Sequence, residues 1–103
     1  MHKTFKVTAK TQADGAQVVS LAGSERAYHH QVQVDVSSVP AAGTMDVAIR
    51  TPGAAEYVSL GTINLVAGPR AVMFDGYADS IRLTPASFDT GKSYSAFIFS
   101  LQV

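Results

Sequence analysis

The feature that most constrains this chain is a two-residue alternation of apolar and polar side chains, broken by glycine or proline about every ten residues. It is clearest where Tyr28, His30, Val32, Val34 and Val36 alternate with His29, Gln31, Gln33 and Asp35. Successive side chains of an extended chain point to opposite faces, so this segment reads as a half-buried antiparallel strand, β-branched inside and polar outside.

Other segments follow the same rule. Phe5, Val7 and Ala9 share one side of the first, with Lys6, Thr8 and Lys10 on the other. Residues 17–22 follow a turn at Asp14-Gly15, and residues 44–51 place Met45, Val47 and Ile49 inward. Thr51-Pro52-Gly53 is a turn signal, because proline presets one dihedral and glycine supplies a positive φ. Residues 57–60 and 62–66 flank Gly61, which predicts a bulge or bend between two short strands. Residues 70–74 and 80–84 surround Asp75-Gly76-Tyr77, residues 85–92 read as an irregular connection, and residues 93–103 close the chain. No segment supports an ordinary helix. The expected fold is all-β: one antiparallel β-sandwich or jelly-roll-like domain of about eight short strands over residues 1–103.

Composition narrows the function. Eight Lys and Arg balance eight Asp and Glu, without the basic excess that neutralises nucleic-acid phosphates. Charged residues are 16% of the chain, against roughly 25% in an average soluble domain, so the surface is poorly protected against association. Cysteine is absent, which removes disulfides, thiolate metal sites and a cysteine nucleophile together. No apolar run reaches the ~18 residues of a membrane span. The first residues alternate like a strand instead of forming an apolar leader, so the mature chain is expected to begin at or near Met1.

No catalytic, cofactor or metal site is expected. His29 and His30 are neighbours on a strand and point to opposite faces, and His2 stands apart. The acids Asp14, Glu25, Asp35, Asp46, Glu56, Asp75, Asp79 and Asp89 are scattered, mostly at turns or on outer faces. Asp75-Gly76-Tyr77-Ala78-Asp79 lacks the spacing of a calcium loop, and phosphate-binding glycine loops and serine elbows are missing. Arg50, Arg70 and Arg82 are placed to pair with carboxylates on neighbouring strands. Tyr28, Tyr57, Tyr77 and Tyr94, with Phe74 and Phe88, supply core and contact surface or, alternatively, a sugar-stacking platform.

The last strand is apolar on both sides. Tyr94, Ala96 and Ile98 line one face, and Phe97, Phe99 and Leu101 the other. Such a strand is central in its sheet and covered twice, and the second cover is expected from another chain. Tyr94, Phe97, Phe99 and Leu101 are the predicted interface residues.

Four C-terminal segments carry a resemblance: Ala48-Ile49-Arg50-Thr51-Pro52-Gly53, Tyr57-Val58-Ser59-Leu60-Gly61-Thr62-Ile63-Asn64-Leu65, residues 75–85 (Asp75-Gly76-Tyr77 through Leu83-Thr84-Pro85), and Ser93-Tyr94-Ser95-Ala96-Phe97-Ile98. Over about residues 44–100 the chain resembles the small β-sandwich virion proteins of tailed bacteriophages. The resemblance implies a non-enzymatic structural protein of a virion: a capsid decoration or minor capsid protein, or a neck or tail component. Its implied partners are copies of itself and other virion proteins, with no cofactor. The alternative is a carbohydrate- or receptor-binding sandwich module.

Overall fold

The alternating segments form eight strands in the computed structural model, which describes residues 2–24 and 26–102. The strands are β1 (His2–Lys10), β2 (Gln17–Ser20), β3 (His29–Val36), β4 (Thr44–Arg50), β5 (Val58–Asn64), β6 (Ala71–Asp75), β7 (Ser80–Ala86) and β8 (Tyr94–Leu101), with one 3₁₀ turn at Gln12–Asp14. They make two four-stranded antiparallel sheets, β1-β8-β3-β6 and β2-β7-β4-β5. The expected β-sandwich is therefore the observed fold. Among the described residues no helix is long and apolar enough to cross a membrane.

The pairing is nested: β1 with β8, β2 with β7, β3 with β6, and β4 with β5. The chain is thus one long hairpin rolled up so that successive pairs fall in alternate sheets, the plan of a jelly roll. Its apex is the β4–β5 connection. There Ala54 N–H donates to Thr51 O at 2.9 Å, and Gly53 has φ +89°. Pro52 and Gly53 thus occupy the two central positions of a type II turn, as their order in the sequence requires.

Departures from simple alternation have local causes. In β5, Gly61 lies opposite Val47 and Ser59 opposite Ala48. Leu60 is the extra residue of a bulge, and one bulged strand replaces the two predicted short ones. In β1 the register shifts between Val7 and Lys10, and Ala9 takes φ +52°. Ala9 is exposed, not inward beside Val7, and its N–H donates to Ser95 Oγ at 3.1 Å. β7 continues through Pro85, which was expected in an irregular connection. Proline fits because β2 reaches only as far as Leu83, so β7 has no neighbour on that side at Pro85.

Between the sheets lie Leu21, Val32, Val34, Met45, Val47, Ile63, Leu65, Ile81, Leu83 and Ile98, all buried. Gly43 brings the loop after β3 against this core. A Cβ there would stand 2.9 Å from the Phe88 ring and 3.2 Å from Phe88 Cα, at φ +147°, so only glycine fits.

Tyr94 belongs to the core as well. It is 1% exposed and packs edge-on to Phe88 at 6.0 Å. This corrects its place among the predicted interface residues: β8 turns its Tyr94 face to the opposite sheet, so no other chain can reach the ring. The hydroxyl is buried without a hydrogen-bond partner, and burial pushes its pKa up to about 12, with the Asp14 charge adding to the rise. An unpaired buried hydroxyl costs roughly 1 kcal/mol or more. Tyr94→Phe is accordingly expected to be neutral or to stabilise by up to about 1 kcal/mol in urea unfolding. A loss above that size would reveal a partner for the hydroxyl.

Candidate assembly interface

The outer face of the first sheet follows from strand register. Across β1, β8, β3 and β6, one row reads His2, Leu101, His29, Asp75; the next Thr4, Phe99, Gln31, Met73; the third Lys6, Phe97, Gln33, Ala71. An apolar stripe of Phe97, Phe99 and Leu101 therefore runs along a central strand, between polar neighbours. Phe99 is 40% exposed, Leu101 37% and Met73 74%. A depression of about 460 Å³ lies among His29, Gln31, Met73, Asp75, Phe99 and Leu101.

The stripe has only thin cover. The His2 ring stacks on Phe99 at 5.1 Å, and the Lys6 ammonium sits 5.5 Å from the centre of the Phe97 ring. At the edge of the face, His29 Nδ1–H donates to Asp75 Oδ1 at 2.6 Å. Three of the four predicted interface residues thus share one outer face. Met73 joins them, although it was not singled out from the sequence. The outward positions Ala71 and Met73 carry the signal, but both faces of this strand are apolar, so alternation could not orient it.

The two adjacent histidines behave as their spacing dictates. His29 is exposed and His30 is 3% exposed. A carbonyl only accepts, so the 2.9 Å contact to Gly76 O puts the proton on His30 Nε2. Nδ1 of the neutral ring then accepts from the Ser100 hydroxyl at 2.8 Å. The ring also stacks on Phe74 at 4.7 Å.

Burial lowers the pKa of His30. The carbonyls of Gly76 and Ala27 and the charge of Asp75 oppose that shift without cancelling it, while the neighbouring His29 adds to it. The unfolded chain takes up a proton near pH 6.5, whereas the folded protein resists until a lower pH. The contribution of His30 to stability is therefore whole above about pH 6.5 and declines as the pH falls toward the folded pKa. Urea midpoints are expected to drop between pH 7.5 and 5.5, and to drop less in His30→Asn. Equal drops in the two proteins would remove His30 as the cause.

The six aromatic residues considered as a sugar platform do not share a surface. Tyr94 and Phe88 are in the core, and Phe74 is half-buried against His30. Tyr28 and Tyr77 form an exposed edge-to-face pair at 5.1 Å. Tyr57 lies on the second sheet, with the guanidinium carbons of Arg50 and Arg82 5.4 and 4.8 Å from its ring centre.

The aspartates are occupied in the fold, while Glu56 is exposed. Asp14 accepts from Thr11 N–H at 2.8 Å, and Asp89 accepts from Ala41 and Ala42 N–H at 2.6 and 3.1 Å. Asp79 accepts from Arg50 Nε at 3.0 Å, and that bond holds its carboxyl below the usual range. Asp46 accepts from Ser59 and Asp35 from Gln33. Of the three arginines expected to pair with carboxylates, Arg50 does so, and Arg70 instead donates to the carbonyls of Leu65 and Val66. Glu25 lies outside the described residues.

No protein-family model and no curated protein matches the sequence. Solved structures match the fold. The SPBc2 prophage-derived protein YomS is similar at 11% identity, with 97% of this chain and 95% of that chain covered and a TM-score of 0.61. The Yersinia pseudotuberculosis-derived mitogen is similar at 11% identity, with 99% and 86% covered and a TM-score of 0.59. A chain of the Bacillus endospore appendages, which form a family of disulfide-linked pili, is similar at 9% identity, with 100% and 88% covered and a TM-score of 0.54. At these identities the likeness shows a shared fold.

Proposed function

We propose that this protein is a non-enzymatic structural subunit of a bacteriophage virion, which associates with its own copies through the outer face of the first sheet. The observation that carries the reading is the stripe of Phe97, Phe99 and Leu101, left on the surface of a central strand with Met73 beside it. Supporting it are the jelly-roll plan, which recurs in viral capsid proteins, and the fold likeness to a prophage-derived protein and to a pilus-forming one. The pili are linked by disulfides; a chain without cysteine must associate through packed surface instead.

The placement of hydrogen-bonding groups favours a second copy as the occupant. A two-fold axis in the interface, parallel to the strands, sets the β1 column of one copy opposite the β6 column of the other. His2 then faces Asp75 of the second copy, Lys6 faces the neutral Ala71, and the two Phe99 side chains flank the axis. An axis across the strands would set His2 against Lys6 and Asp75 against Ala71, so the carboxylate would face no hydrogen-bonding group. Strand spacing and rise give a face of roughly 500 Å² per copy. That lies below the ~800 Å² per partner of a stable isolated pair, so association is expected to be weak for two copies and to strengthen when many contacts repeat.

The test is light scattering over a concentration series. The mass is expected to rise from that of the 10.9 kDa chain toward a dimer or a larger closed assembly. A constant monomer mass up to millimolar concentration, with no binding to virion particles, would overturn the reading.

A further inference from the structure

The end of the sandwich beside the start of β1 gathers two cations at one depression. Lys3 is on the inward side of β1, with Phe5 and Val7, whereas His2, Thr4 and Lys6 take the outer side. Its ammonium reaches from the first sheet to the connection after β2, where it donates to Ala22 O at 3.3 Å, with the centre of the Phe5 ring 5.1 Å away. Protection of a sheet edge explains charge on β1, and Lys6 and Lys10 supply it. It does not explain why Arg26, from the connection between β2 and β3, lines the same depression as Lys3.

The depression measures about 330 Å³, and among the described residues no carboxylate lines it. Turns hold the connection that carries Arg26: Ser24 N–H donates to Leu21 O at 2.7 Å, and Ala27 N–H to Ser24 O at 3.0 Å. Ala27 and Ser100 are the buried residues of the lining, and the Ser100 hydroxyl is spent on His30. An ammonium has three donors, so the bond to Ala22 leaves Lys3 with two. The Arg26 guanidinium makes no ion pair and no hydrogen bond among the described residues. Ser24 and Gln102 add a hydroxyl and an amide to the lining. Two positive charges and neutral donors thus share one space, and a cleft lined by one sign of charge concentrates counter-ions.

We infer that this depression binds a phosphate group, either free or carried by a small organic molecule. The two cations match the charge of roughly −2 that a phosphate monoester carries near neutral pH, whereas a carboxylate would balance only one of them. The Arg26 fork takes two phosphate oxygens, and the Lys3 ammonium holds a third as a point charge. The volume lies at the lower end of small-molecule sites and leaves room for an organic body of a few carbon atoms. The site is separate from the assembly contact, because of its lining residues only His2 belongs to the outer face of the first sheet.

The test is an NMR titration of the backbone amides of Ser24, Arg26 and Ala27 at about pH 7.5 with sodium phosphate, glycerol phosphate and sodium acetate, each against sodium chloride at equal ionic strength. Saturable shifts are expected with both phosphates, and binding of acetate should be at least ~5-fold weaker. Lys3→Gln and Arg26→Gln, both at exposed positions, should each weaken phosphate binding at least ~5-fold. Arg26→Lys should recover only part of that loss, since it keeps the charge and loses the fork. Tighter binding of glycerol phosphate than of free phosphate assigns the site to a phosphorylated small molecule; equal affinities assign it to phosphate itself. Light scattering should show unchanged self-association in both Gln variants, so the site stands or falls apart from the assembly contact. Absence of any saturable shift beyond chloride, acetate binding as tight as phosphate binding, or an undiminished shift in a folded Arg26→Gln protein overturns the site.

Discussion

Replacing Ile98 with alanine is expected to lower the unfolding free energy by about 3 kcal/mol. Ile98 is 0% exposed and sits in β8 between Phe5 and Val32, with the second sheet above it. Removing three carbons there leaves a hole that rigid strands on both sides cannot close, so a cavity cost adds to the lost burial. A domain of this size holds only about 5–15 kcal/mol in total, so the change takes a large share of it. The check is urea unfolding, in which the midpoint should fall while the slope stays the same. A loss under about 1 kcal/mol would mean that the core around β8 is loosely packed.

One residue further on, the consequences should reverse. Phe99→Asp places a carboxylate on the outer face, where the native ring is 40% exposed. The fold should lose little, since exposed substitutions outside special features usually stay within about 0.5 kcal/mol; loss of the His2 stack adds a few tenths. Self-association should suffer far more. Two Phe99 side chains flank the proposed two-fold axis, so the substitution removes both anchors and sets two negative charges against each other in a desolvated contact. The dissociation constant is expected to rise at least ~100-fold. Light scattering at concentrations where the native chain associates should show only monomer. Unchanged association in a folded Phe99→Asp protein would place the contact on another surface and overturn the two-fold arrangement. The two variants together separate stability from assembly, because neighbouring residues of a strand face opposite ways.

Much of this arrangement can be read from residue order. Alternation in residues 28–36 places Val32 and Val34 inward and Gln31 and Gln33 outward, as found. The turn at Pro52-Gly53, the bulge near Gly61 and the opposed His29 and His30 also follow from local chemistry alone. Each depends on backbone preferences of one to four residues, which need no knowledge of distant contacts. Pro85 and Ala9 mislead for the opposite reason. A strand tolerates proline where its neighbour has ended, and a bulge turns Ala9 outward; the length and register of another strand decide both cases.

The two apolar faces of β8 mark the same division. By itself the sequence determined that Tyr94, Ala96 and Ile98 share one side and Phe97, Phe99 and Leu101 the other, because side-chain direction in a strand has a period of two. It could not determine which side the second sheet covers, because both are apolar and alternation carries no sign when both faces match. The tertiary structure made that choice. The nested pairing lays β7 and β4 over the first side, which seals Tyr94 in the core and leaves Phe99 at the surface. The apolar stripe now proposed as the contact between copies is the side of β8 that none of the strands among the described residues covers.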